Sequence, residues 1–103
     1  MTARPAALQA SVETQTPAGG VTRAWSTVAT TWVELRASAG GFEQAEGQRP
    51  VRVETASATA RDHPLAAAGQ QLVLDDEPPW RVLAVRRGEP AAGRMTLLLD
   101  RAG

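Results

Sequence analysis

The sequence predicts an all-β protein: a small, closed or nearly closed six-stranded antiparallel β-barrel with a long loop between its second and third strands. Three observations predict it. Short segments rich in Val, Thr, Trp and Leu alternate apolar with polar side chains, the period of a half-buried strand. Turn chemistry built on Gly and Pro separates them. No segment of about eleven or more residues carries a strong helical period. Closing such a sheet on itself removes the open edges that invite aggregation.

The elements follow in order. Leu8, Ala10 and Val12 share one side of a first strand, with Gln9, Ser11 and Glu13 on the other. Thr16-Pro17-Ala18-Gly19-Gly20 is a turn, because glycine enters positive φ at little cost. Thr22–Arg36 is a second strand, dense in β-branched and aromatic residues that suit a pleated surface. Ala29, Thr31, Val33 and Leu35 share its one face, and Trp32, Glu34 and Arg36 the other. Trp25 and Val28 are out of step by one, which predicts a bulge near Ser26. These two strands pair as a hairpin. Ala37–Pro50 breaks the pattern: Phe42–Glu46 is compatible with one helical turn ended by Gly47, and otherwise the stretch is a long loop. Val51–Thr59 resumes as a strand with Val51, Val53 and Thr55 on one side. After the connection 60–69 come a short strand at Gln71–Asp75 and the tight connection Asp76-Glu77-Pro78-Pro79, whose prolines block ladder pairing. Trp80–Arg86 follows, with Trp80, Val82 and Ala84 facing one way, then a turn at Gly88–Gly93. Arg94–Arg101 closes the chain with Met95, Leu97 and Leu99 on one face.

The expected core is Leu8, Val12, Val33, Leu35, Val53, Leu72, Leu74, Val82, Leu97 and Leu99. It is modest. Each fully buried large side chain contributes about 1.5–3 kcal/mol, against the ordering entropy of the whole chain. A marginal monomer that gains stability from neighbouring subunits is therefore expected. The 103 residues make a single domain spanning 1–103. With no cysteine, disulfide scaffolds, thiolate metal sites and cysteine nucleophiles are excluded. The longest apolar runs are far below the ~20 residues of a membrane span, and Met1–Pro5 begins no apolar leader, so an intracellular origin and no membrane partner are expected. All eleven basic residues are arginine, which a GC-rich genome explains. Eleven acidic residues balance them, and that zero net charge argues against a strong sequence-independent grip on nucleic acid.

No catalytic constellation, metal site or cofactor is expected. The one histidine, His63, lies in a loop between Asp62 and Pro64, and Ser26, Ser38 and Ser57 carry no nucleophile motif. Asp75-Asp76-Glu77 lacks the ligand spacing of a calcium loop and reads as a solvated turn. The pairs Gly19-Gly20 and Gly40-Gly41 have neither phosphate-loop spacing nor a helix behind them. Arg86, Arg87 and Arg94 read as a polar rim at a hairpin end that could touch phosphate. Trp25, Trp32 and Trp80 read as core or subunit-interface residues rather than base-stacking platforms.

The stretch Thr16-Pro17-Ala18-Gly19-Gly20, Thr22-Arg23-Ala24-Trp25, Val28-Ala29-Thr30-Thr31-Trp32-Val33-Glu34-Leu35 resembles phage head-tail joining proteins, also called head-closure, stopper or head-tail adaptor proteins. Val51-Arg52-Val53, Gly69-Gln70-Gln71-Leu72 with Trp80-Arg81-Val82-Leu83-Ala84-Val85, and Arg94-Met95-Thr96-Leu97-Leu98-Leu99 extend the resemblance from Leu8 to Arg101. Trp80, where the family often has tyrosine, and Glu54-Thr55, where it commonly has an Arg-Tyr type of pair, depart from it.

The resemblance implies a non-enzymatic connector. Its copies would form a homo-oligomeric ring, hexameric or dodecameric, in the neck of a tailed phage or gene transfer agent assembled in the bacterial cytoplasm. The ring would lie beneath a portal-adaptor protein and above a tail terminator or tail tube protein. It would retain packaged double-stranded DNA without sequence specificity and offer the tail a docking surface. It also implies a channel-gating or intersubunit role for the loop, Gly40, Gly41, Phe42, Glu43, Gln44, Ala45, Glu46 and Gly47, whose glycines are natural hinges and whose carboxylates would repel phosphate. Trp25, Trp32 and Trp80 are candidate interface residues. A neighbouring neck component such as a tail terminator, and a small nucleic-acid-binding β-barrel, are the alternatives.

Overall fold

Seven strands form one antiparallel sheet: β1 (Arg4–Gln15), β2 (Val21–Ala37), β3 (Gly41–Gln44), β4 (Pro50–Arg61), β5 (Gln71–Val73), β6 (Trp80–Arg87) and β7 (Arg94–Ala102). The structure, a computed structural model, describes residues 3–37, 41–44, 50–75 and 77–102. The sheet runs β2-β1-β5-β6-β7-β4-β3, and an additional β2–β4 pairing returns the order to its start. Glu34–Ala37 of β2 meet Ala56–Thr59 of β4, so six strands close into a barrel and β3 hangs from the free end of β4. The all-β, nearly closed antiparallel barrel is the expected one. The seventh strand falls inside the stretch expected to be a helical turn or a loop: Gly41–Gln44 is extended and pairs with Pro50–Val53. Gly40, Ala45, Glu46 and Gly47 lie outside the described residues.

The core lies inside this barrel. Leu8, Val33, Leu72, Leu74, Val82, Leu97 and Leu99 are buried as expected, with Met95 and Trp80 beside them. Leu35 packs against this core but is only partly buried, and two expected core positions differ further. Val12 is 45 % exposed, because β1 runs past the barrel and carries it out into an arm. On β4 the inward residues are Ala56, Ala58 and Ala60, so Val53 and Thr55 occupy the outward register and Val53 is only partly buried. Small side chains on one strand leave room for the leucines of the next in a barrel this narrow. Ala58 is the register partner of Leu97, and Ala56 of Leu99.

Two bulges set which residues face in. The β1–β2 register slips between Leu8 and Gln9, so Val28 is the extra residue, two positions beyond the irregularity expected near Ser26. The β6–β7 register slips between Val82 and Ala84, so Leu83 is the extra residue. A bulge inserts one residue and reverses the alternation beyond it. Val85 therefore packs on the core in place of Ala84, and Leu83 stays exposed.

Beyond the first bulge β1 and β2 leave the barrel together. Every residue of Ser11–Gln15 and Val21–Thr27 is exposed, yet the ladder runs unbroken to Gln15–Val21. Thr16 closes the tip: its Oγ1 accepts from the Gly20 N–H at 3.0 Å, and its carbonyl accepts from Gly19 at 3.0 Å, with Gly19 at φ 85°. The arm accounts for the elongated outline of 47 × 36 × 24 Å and a radius of gyration of 15.4 Å, against about 13 Å for a compact chain of this length.

Candidate functional site

The inward stripes of four strands end at one mouth of the barrel, three of them in charge and one in an indole. Arg4 continues the Ala6–Leu8 stripe, Glu54 the Ala56–Ala60 stripe, Arg101 the Met95–Leu99 stripe, and Trp80 the Val82 position. Trp80 is 3 % exposed and packs with the core, so it does not join Trp25 and Trp32 on the surface. The Arg101 guanidinium lies 3.9 Å from the centre of its ring, where the negative face of the π-system attracts a cation. The indole N–H is buried without a hydrogen-bond partner among the described residues, so the indole engages its surroundings through its faces.

Arg101 Nε donates to Glu54 Oε2 at 2.6 Å, and its Nη1 donates to the Pro78 carbonyl at 3.1 Å. Arg4 donates to Glu77 and, at 3.3 Å, to Asp75. The hydrogen bond to Glu77, and next that to Asp75, raise the Arg4 pKa above its ordinary value. The turn carboxylates are therefore held by arginine at the barrel mouth. Among the described residues no group of three or more His, Asp or Glu side chains is disposed to hold a metal ion.

The histidine is likewise engaged locally. His63 Nδ1 accepts the Leu65 N–H at 3.1 Å, and its neighbour Asp62 is bound by Arg87. Arg87 also donates to the carbonyls of His63 and Ala66, both at 2.7 Å, and so organises the whole 62–66 loop. Gln70 closes the loop from the other side, donating to Leu65 O at 2.7 Å and accepting from Ala67 N–H at 3.0 Å. Among the described residues no serine bonds to the imidazole.

What the fold does present is surface. Trp32 is 64 % exposed and Trp25 44 % exposed. Trp32 opposes Pro5 and Trp25 opposes Ser11, and odd residues of β1 all point outward, so both indoles stand on the same outer face. Six residues of β1 separate their partners, about 20 Å at the rise of a strand. Pro5, Ala7, Thr30 and Val73 line a shallow groove together with Trp32. Of the loop residues, Gly41, Phe42, Glu43 and Gln44 form β3 beside the first turn of β4, at the end of the barrel where β2 also ends.

No family model and no curated protein matches the chain. A solved structure does. The fold is shared with a chain of the "Virion of native gene transfer agent (GTA) particle". The TM-score is 0.74 at 18 % sequence identity, and the alignment covers 100 % of this chain and 97 % of that one. The likeness thus includes the arm as well as the barrel.

Proposed function

We propose that this chain is a structural head-closure subunit of the neck of a tailed phage-like particle. Its copies form a closed ring that retains packaged DNA and presents a docking surface to the tail. The observation that carries this reading is the end-to-end likeness of its fold to a gene transfer agent virion chain, and the sequence resemblance to head-tail joining proteins supports it independently. The surface agrees in kind. A barrel with an exposed arm and two exposed tryptophans has contact area that its own core does not use.

The β3–β4 end, residues 37–50, is the channel-side or intersubunit segment in this reading, and Trp25 and Trp32 are interface residues. Imaging intact particles that contain this chain tests the reading. The expected result is a closed ring of hexameric or dodecameric symmetry in the neck, between portal adaptor and tail. Density for the chain inside the tail lumen, or as separate monomers, overturns it.

A further inference from the structure

The chain is neutral overall, but its charges are sorted. Arg4, Arg23, Arg81, Arg87 and Arg101 each pair with a carboxylate of the chain. Among the described residues Arg36, Arg61, Arg86 and Arg94 have no ion-pair partner. All four are exposed and lie on the outer surface of one stretch of sheet, β2-β4-β7-β6.

The register brings them together. Arg61 and Arg94 are direct cross-strand partners. One row along, Glu34, Thr59, Thr96 and Arg86 cross the four strands. Beyond it Arg36 faces Ser57. At strand spacings this is a patch about 13 Å long and about 14 Å across. Four guanidinium groups share this face with the Glu34 carboxylate and several hydroxyls, and Glu89 borders it in the adjoining turn, its carbonyl accepting from Thr96 Oγ1 at 3.1 Å. Glu34, Arg36, Ser57, Thr59, Arg94 and Thr96 line one depression in it, and Trp32, Arg61 and Arg94 line an adjoining one. Like charges placed directly opposite on a sheet destabilise it. The Arg61–Arg94 pair therefore costs the isolated fold something that an anionic occupant would return.

We infer that this face binds the phosphate backbone of double-stranded DNA, without reading bases. Planar guanidinium forks and hydroxyls are the donors that phosphate oxygens take, and among the described residues none of the four arginines is within ion-pair distance of a carboxylate. The inference rests on the neck reading for why a duplex lies close by, and it names the surface of the subunit that the duplex meets.

The test uses the full purified chain and a fluorescently labelled 30-base-pair duplex, with anisotropy followed from low to moderate NaCl. Wild type is expected to bind with a log–log salt slope of about −3, since each neutralised phosphate contributes roughly 0.9. Arg61→Ala/Arg94→Ala is expected to reduce the slope by about 2 and weaken binding at least tenfold at low salt. Both positions are exposed and mutually repulsive, so the double variant should fold; circular dichroism checks this. The control Glu13→Ala/Arg23→Ala, which removes an ion pair on the arm, should leave the slope unchanged. Absence of wild-type binding, or a double variant that binds like wild type, overturns the inference. So does a double variant that binds the duplex normally but fails to join neighbouring neck proteins, which would assign the face to an acidic protein surface. None of these results alters where the chain lies in an imaged particle, so the neck reading stands or falls separately.

Discussion

Leu83 and Leu99 have similar surroundings in the sequence, each in an apolar run of a strand, yet they have opposite fates. Leu99 is sealed in the core, and Leu83 is the extra residue of the β6 bulge and stays 46 % exposed. Removing a buried leucine loses its transfer energy and leaves a cavity, together about 2–5 kcal/mol. Leu99→Ala should therefore lower the unfolding free energy by that amount. Leu83→Ala should change it by no more than about 0.5 kcal/mol. Denaturant titration of both variants measures this, and equal losses would mean that the bulge does not lie at Leu83. The same scale explains Trp80. It follows the Asp76–Pro79 connection directly and by sequence is core or interface alike, but Arg101 covers its ring and Val82 continues its stripe inward. A cation above an indole is compatible with burial when carboxylates such as Glu54 balance it.

At the scale of the element, the β1–β2 arm behaves unlike the strands that root it. It has full cross-strand pairing, an Arg23–Glu13 ion pair at 2.6 Å and a closed tip, but no layer beneath it. A two-stranded ribbon is at best marginally stable in water by itself, so it needs either the barrel at its base or a neighbour along its length. Replacing 11–25 by Asn-Gly, which would join the paired residues Ala10 and Ser26 through a tight hairpin turn, is expected to leave a cooperatively melting barrel. Thermal denaturation should show that. Native mass spectrometry or light scattering of the same variant should show no ring. A ring that still assembles would exclude the arm from assembly, and a barrel that no longer melts cooperatively would make the arm part of the folding unit.

At the scale of the whole molecule, closure of the barrel is uneven. β4–β7 pairs over nine positions, whereas β5 pairs with β6 over only two and with β1 over three. The described core contains fourteen buried apolar residues, and five of them are alanines. So much small volume explains why neighbours in a ring would add stability to each copy. In the neck reading the segment joining β2 to β4 faces the channel. Removing Gly40–Gly47 should leave the ring intact in imaged heads while DNA escapes from heads that lack tails. A nuclease-protection assay on such heads measures the loss, and full protection would leave the segment an intersubunit role only.

The alternating periods of β1, β2, β6 and β7 were enough to reveal an all-β chain and most of its large core residues, because burial of leucine and valine is written in the pattern itself. They could not reveal that Val12 continues the pattern with nothing to cover it, nor that alanines rather than Val53 line β4. Alanine carries no strong signal either way, and burial depends on what lies across the space. Extension at Gly41–Gln44 was likewise invisible, since that strand exists through its pairing with Pro50–Val53. Net charge is silent about placement for the same reason. Eleven against eleven reads as neutral. Folding pairs most described carboxylates with particular arginines and gathers Arg36, Arg61, Arg86 and Arg94 on one face, and electrostatic potential follows distance in space rather than position in the chain.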